Sequence, residues 1–385
     1  MNNPDYSPCV RTFLAINIML IVPEAFLGFY VIAYKKSIAS YYYYILACKF
    51  LTLTYLFYKI KIERLPSIFL VFLFGILFNL SVYKINLTDL REVTPIFFFY
   101  AIICMGFLTG FNLSHSSNLF AQKILSPKLT VPIAWLLCVV YITNIYFVRQ
   151  YNVRLGLGTQ LFVLIPFLLC SPYYNTGILI WFFSFLGGKR SVLLVTLCQL
   201  IFVSREKFKR KKFIALLIIL TLPIFYLFQI SGLYDRFFDE KYNLDLIANS
   251  NYSNFDTDIF NTYTSGRFAE ANVLINHLME DTKGLLFGFS ADYSFQVPYN
   301  NYYRDVRFFH VGYLNYIRCF GVVIGSFIIF HNAYVMFRSF RAISLAKNPL
   351  ICLYIGSFIS CLFGSANSSE VLFWFSYGYA TGKLK

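Results

Sequence analysis

Charge is what this chain has least of. Asp, Glu, Lys and Arg make up 13% of its 385 residues while 58% are hydrophobic, whereas charged residues approach about a quarter of an ordinary soluble domain. That balance excludes a conventional soluble fold. Acids are the scarcer sign, 18 against 33 bases, for a formal charge of +15. Histidine is rarer still, and the four present (His115, His277, His310, His331) show no metal-ligand spacing. Alternation at a period of two is missing, which removes the signature of a transmembrane β-barrel. Also missing are a Walker loop, a G-x-S-x-G elbow and a G-x-G-x-x-G turn between strand and helix, so common nucleotide and hydrolase signatures do not apply. Of nine cysteines, eight lie in apolar runs and none in the long polar interval, so no disulfide framework is indicated.

What is present is a series of apolar runs, many of them about 17 to 23 residues long, enough at 1.5 Å per residue to cross a hydrocarbon core of about 30 Å. They fall near 12–33, 41–58, 67–84, 95–112, 130–148, 158–171, 174–187, 191–203, 213–230, 309–336, 349–365 and 370–381. The expectation is an all-α polytopic membrane protein of about twelve transmembrane helices carrying one large, partly helical outer loop. Its parts are N-terminal helices (1–148), helices bearing outward basic turns (149–230), the loop (231–309) and C-terminal helices (310–385). The run at 12–33 is too long for a signal-peptide core and reads as a retained first span. Around Ser171-Pro172-Tyr173-Tyr174-Asn175, the stretch 158–187 is either two spans with a tight turn or one long helix with a kink.

Interval 231–309 is the polar exception. It holds 11 of the 18 acids against six bases, leaving the rest of the chain at about +20. Basic residues gather in short loops, above all Arg205, Lys207, Lys209, Arg210, Lys211 and Lys212, then Arg338, Arg341 and Lys347, then Lys383 and Lys385. Topology accounts for them better than nucleic acid does: the positive-inside rule sends them to the cytoplasm. Both termini are then cytoplasmic and the acidic loop faces out, although Lys35 and Lys36 land outside against the trend. Glu24 and Lys49 fall near mid-depth of consecutive spans, where an ion pair is the expected arrangement and a functional acid the alternative.

Several bases point outward against the trend. Thr264-Ser265-Gly266-Arg267 leads into an amphipathic helix with Phe268, Ala271, Leu274, Ile275 and Leu278 on one face and a stop at Lys283-Gly284. A cation in the first turn opposes the helix dipole, so Arg267 is locally misplaced for stability but suited to sharing an anion with the free N–H groups there. Lys189 and Arg190 in Gly187-Gly188-Lys189-Arg190-Ser191, and Arg154 in the 151–158 segment, lie on the same side. Guanidinium groups suit a diphosphate because they bind it bidentately and stay charged. His310 stands where the loop returns to the membrane, followed by Tyr313; Arg318, about two turns on, either lines a cavity or pairs internally. Asp256-Thr257-Asp258 has the spacing of metal-dependent sugar transferases, and Asp89 with Glu92 could hold a cation, yet neither has a His or Cys nearby.

In that order, Gly-Gly-Lys-Arg-Ser (187–191), Thr-Ser-Gly-Arg (264–267) before an amphipathic helix, Leu-Leu-Phe-Gly-Phe-Ser (285–290), and His310 followed by Tyr313-Leu314, Gly321 and Gly325, the chain resembles the O-antigen polymerase and O-antigen ligase superfamily of bacterial envelope glycosyltransferases. The likeness covers about residues 150 to 335. Val311 stands where many relatives carry Asn, and Arg318 where an acid is often found. The resemblance implies a metal-independent enzyme of the bacterial inner membrane, with no cofactor, whose large loop is periplasmic. Its substrate would be an undecaprenyl-diphosphate-linked oligosaccharide held among membrane lipid, with a chain-length regulator and a flippase of the same pathway as partners.

In such an enzyme His310 would take the proton of an acceptor hydroxyl while Arg190 and Arg267 stabilise the leaving diphosphate. Arg154, Lys189, Arg318, Tyr313 and Tyr263 would bind substrate, and loop tyrosines including Tyr252, Tyr293, Tyr299, Tyr302 and Tyr303 could stack on sugars. The expected activity is polymerisation of repeat units into O-antigen or capsule. A ligase that passes finished glycan to lipid A core is the alternative, and a lipid-linked glycan flippase is the reading from another class.

Overall fold

The computed structural model describes residues 6–24, 39–82, 90–115, 125, 127–151, 161–183, 190–205, 226, 267–289, 293–299, 302–306, 309–363 and 370–384. Within these the chain is mostly helical, in the order α1 (Ser7–Met19), α2 (Ala39–Lys59), α3 (Ser67–Val82), α4 (Leu90–His115), α5 (Pro127–Tyr151), α6 (Leu161–Leu169), α7 (Tyr174–Phe183) and α8 (Arg190–Ser204). Then follow α9 (Arg267–Glu280), α10 (Thr282–Phe287), a hairpin of β1 (Phe295–Tyr299) and β2 (Tyr302–Val306), α11 (Gly312–Arg341), α12 (Pro349–Phe363) and α13 (Val371–Lys383). Outside the loop and the 158–187 stretch, helix ends from α2 onward agree with the expected runs to within five residues. The run at 213–230 lies outside the described residues apart from Tyr226.

Three stretches, Ser7–Glu24, Phe97–His115 and Gly312–Arg341, are long and apolar enough to cross a membrane, and Ser67–Val82, Lys128–Val140, Leu194–Ser204 and Pro349–Leu362 form shorter apolar helices. Their surfaces are apolar too. On α11, Val323, Phe327, Phe330, Tyr334 and Phe337 are each half exposed or more, and their alternating spacing of four and three draws one stripe down the helix. Leu70, Leu73, Phe74 and Leu77 make a similar stripe on α3. Water-facing surfaces rarely carry such patches, whereas lipid-facing ones do.

Helix packing relies on small residues. Gly106 and Gly110 of α4 pack on Trp374, Phe375 and Tyr379 of α13, and Gly378 and Gly382 of α13 pack on Phe107, Phe111 and Ser114 of α4, each pair in Gly-x-x-x-Gly spacing. A Cβ at Gly110 would fall on the Phe375 carbonyl and one at Gly378 on the Phe107 carbonyl, so the backbones meet without intervening side chains. Close approach of this kind is how helices associate where no hydrophobic driving force acts between them. The ion pair expected between Glu24 and Lys49 forms, Nζ to Oε1 at 2.5 Å, and Glu370 at the start of α13 joins it at 3.2 Å. One cation therefore ties three chain segments together through two carboxylates.

Between α6 and α7 the chain turns back. Gly177 lies 3.0 Å from Leu169, counted from where its Cβ would be, although eight residues of continuous helix would separate them by about 12 Å. The Ser171 hydroxyl donates to the Leu168 carbonyl at 2.8 Å and accepts the Tyr173 N–H at 3.1 Å, which closes the turn. The stretch is thus two short helices rather than one kinked helix.

Helix α11 bends sharply at Gly321, whose φ of 73° lies in the region that favours glycine. Before the bend its residues are mostly buried; after it comes the exposed stripe, over 20 residues that extend about 30 Å. The bend receives the loop. Gly321 packs on the backbone of Leu286 and Phe287, and Gly288 (φ 79°) on that of Arg318, Cys319 and Phe320. The Phe289 N–H donates to the Arg318 carbonyl at 2.5 Å. Asn79, buried on α3, donates to the carbonyls of Cys319 (2.9 Å), Phe287 (3.2 Å) and Phe289 (3.3 Å) and accepts the Tyr100 hydroxyl at 3.0 Å. Backbone groups released by the bend thereby find partners.

The loop helix differs from its expected form. Helix α9 stops at Glu280, and Asp281 caps the short α10 by accepting the Lys283 N–H at 3.0 Å, so Lys283-Gly284 lies inside a second helix and the terminating glycine is Gly288. Its buried face is Ala269, Glu270, Leu274 and Leu278, while Ile275 is half exposed. These pack with Phe289, Phe295, Val297, Val306 and Phe309 into a small core of the loop's own.

Candidate functional site

His310 is held from three directions. Just before it, Phe309 is fully buried against Phe295, and its backbone is clasped by Asn315, whose Oδ1 accepts the Phe309 N–H (2.8 Å) and whose Nδ2 donates to the Phe309 carbonyl (3.0 Å). Just after it, the first turn of α11 begins at Gly312. The third hold is Glu270 of α9. Its Oε2 accepts the His310 backbone N–H at 2.7 Å, and its Oε1 sits 2.5 Å from His310 Nδ1. Glu270 is wholly buried, whereas 47% of the His310 side chain is exposed.

This geometry assigns the ring nitrogens. A carboxylate only accepts, so Nδ1 carries the proton that Glu270 receives, and of the two ring nitrogens Nε2 is the one that Glu270 does not engage. Short charge-assisted bonds of this type fix both ring orientation and tautomer. Glu270 is the residue that sequence reasoning missed. It belongs to the 270/274/278 stripe with Leu274 and Leu278, and an acid on the buried face of an amphipathic helix was the signal that could have found it.

Arg267 opens α9 three residues before Glu270, so both lie on one side of the helix. It is half buried; burial lowers its guanidinium from the ordinary value while the nearby Glu270 charge acts in the opposite sense. A guanidinium remains charged under either influence. The structure therefore brings together the His310 imidazole, a buried carboxylate on its Nδ1 and a cation three residues before that carboxylate at the start of a helix.

Two expected substrate-binding residues are placed elsewhere. Arg318 is completely buried: Nη2 donates to the Tyr293 carbonyl at 2.7 Å, Nη1 reaches Cys319 Sγ at 3.5 Å, and the group lies 5.7 Å from the centre of the Phe295 ring. It ties the hairpin to α11 and offers no surface to a ligand. Tyr313 is likewise internal, its hydroxyl donating to the Phe358 carbonyl at 3.4 Å. Arg154, Lys189 and Tyr263 lie outside the described residues, as do Tyr252, Asp89 and the Asp256-Thr257-Asp258 motif. Arg190 begins α8, with its side chain outside the described part. Of the loop aromatics, Tyr303 and, less so, Tyr293 are exposed, while Phe289, Phe295 and Phe309 form core.

Compared with protein-family models, curated proteins and solved structures, the chain matches none.

Proposed function

We propose that the chain is a polytopic membrane protein of about twelve helices that polymerises lipid-linked oligosaccharide repeat units at the outer face of a bacterial inner membrane. His310 Nε2 takes the proton of an acceptor hydroxyl as its oxygen attacks the anomeric carbon of the donor glycan. The bond from that carbon to the diphosphate oxygen breaks, and undecaprenyl diphosphate leaves with the bonding pair. Glu270 faces the imidazolium so formed, and Arg267, with Arg190, takes up the charge developing on the diphosphate. The proton on His310 then passes to water or to the departing diphosphate.

The observation that carries this reading is the contact between buried Glu270 and half-exposed His310, with Arg267 one turn away. A base held this way suits transfer to a hydroxyl better than passage of a glycan through a helix bundle. In cells, Arg190→Ala, Arg267→Ala and His310→Ala should each abolish polymer while single repeats still reach the surface. Normal chain-length ladders in all three would end the proposal. Accumulation of long lipid-linked polymer would instead identify a ligase.

A further inference from the structure

Helix α10 presents a surface that neither the loop core nor the proposed chemistry uses. One side of it is docked: Gly284 packs on Phe289, Leu286 and Phe287 meet the bend at Gly321, and Phe287 stacks on Phe78 of α3 with ring centres 4.5 Å apart. Its other side exposes Leu285 and Leu286, and the adjoining end of α9 exposes Met279 at 81%, with Ile275 one turn earlier. On an acidic loop these four are exposed apolar side chains on either side of the turn from α9 into α10.

Their height is fixed by the bend. Below Gly321, α11 shows the apolar stripe that starts at Val323, and below Asn79, α3 shows the stripe that ends at Leu77. Both stripes thus stop at the level where α10 docks, and Phe74, Phe78 and Phe287 continue the α3 stripe to α10, with the first two rings 5.3 Å apart. Leu285 and Leu286 are the exposed residues next to Phe287 on the same short helix. Thr282 and Lys283, exposed at the start of α10, would then lie among headgroups, where a lysine places its charge while its stem stays in apolar surroundings.

We infer that the α9–α10 elbow is an interfacial membrane anchor: Leu285 and Leu286, with Met279 beside them, insert into the acyl boundary of the outer leaflet. The occupant is lipid, because the surface adjoins the lipid-facing stripes of α3 and α11 through Phe78 and Phe287. The inference rests on the membrane reading of the helices and is independent of the glycan chemistry. Anchoring would keep Arg267 and His310 close to the bilayer surface, the level at which a lipid-borne diphosphate lies.

The test is tryptophan fluorescence of full-length protein with Leu286→Trp, and separately Leu285→Trp, each read against the wild-type background of three tryptophans. The protein is reconstituted in phosphatidylethanolamine and phosphatidylglycerol vesicles whose acyl chains are brominated near the glycerol, and acrylamide is added on both sides. Added fluorescence that bromolipid quenches and acrylamide barely touches is the expected result. Quenching by acrylamide without quenching by bromolipid overturns the inference, since the elbow is then in water. Protection from both overturns it as well, since a protein partner or a second copy then covers the surface. Leu285 and Leu286 are both exposed, so at least one variant should fold, as a retained elution volume would show.

Discussion

Glutamine at position 270 keeps the size of the glutamate but changes which atoms can accept. Glu270 meets two donors, the His310 backbone N–H at 2.7 Å and Nδ1–H at 2.5 Å. An amide supplies one accepting oxygen and one NH2 group. The backbone donor cannot change, so the oxygen turns to it and the NH2 faces Nδ1. That nitrogen can then accept only by giving up its proton, which places the proton on Nε2, the atom required as base. Retaining the reactive tautomer instead would set two donors against each other in a buried site, a cost of about 1–3 kcal/mol, or roughly 5- to 150-fold in rate. Loss of the negative charge opposite the forming imidazolium adds to this; a comparable carboxylate-to-amide change behind a catalytic histidine lowers kcat by about 10⁴. Glu270→Gln should therefore reduce the rate of chain lengthening by about 10² to 10⁴, close to the loss in His310→Ala. The assay is the initial rate of lengthening by purified protein on a defined lipid-linked repeat, with thermal midpoint as a control for folding. Combining the two changes should cost no more than His310→Ala by itself, because Glu270 acts through that ring. A Glu270→Gln rate within about threefold of wild type would refute the assigned tautomer and with it the role of the pair.

Arg267 is half exposed and should tolerate replacement without loss of fold. Arg267→Ala should lower kcat by about 10² to 10³, and Arg267→Lys should recover only part of that because a point charge lacks the bidentate fork; kinetics on the same substrate would read both. Lys49→Met leaves the carboxylates of Glu24 and Glu370 facing each other with little access to solvent, so a destabilisation of about 3–5 kcal/mol is expected, seen as a lower thermal midpoint in detergent. Adding Glu370→Gln to that variant should recover part of the loss. Asn79→Leu removes the donor shared by the carbonyls of Phe287, Phe289 and Cys319. It should cost about 2 kcal/mol or more and expose the 284–289 segment to hydrogen exchange, while the α4–α13 contact stays protected.

The helices were legible in the sequence because apolar length is a local property, and the Glu24–Lys49 pair was legible because charges at similar depth in consecutive helices have few other partners. His310 and Arg267 could be singled out by position, one at the return to the apolar runs and the other at a helix start with the wrong sign for its dipole. Their common partner was hidden. Glu270 lies 40 residues from His310, and one acid among eleven in an acidic loop carries no mark except its place on the buried stripe of α9. For Arg318 the sequence allows either a cavity-lining role or an internal pair, and the structure buries it with Nη2 on the backbone carbonyl of Tyr293, a contact that no sequence pattern announces. Reading the helix stop at Gly284 rather than Gly288 had a similar origin. Either glycine could end a helix, and the choice is made by Asp281, which starts a new one, and by the close approach of Gly288 to the bend in α11.

The most direct measurement gives purified protein in lipid nanodiscs one defined undecaprenyl-diphosphate-linked repeat as both donor and acceptor, with no ion or voltage gradient. Products of two and more repeats should appear with wild-type protein, and none with His310→Ala or Glu270→Gln at matched folding. Lengthening that survives in His310→Ala, or wild-type protein that fails to join two repeats, would contradict the account.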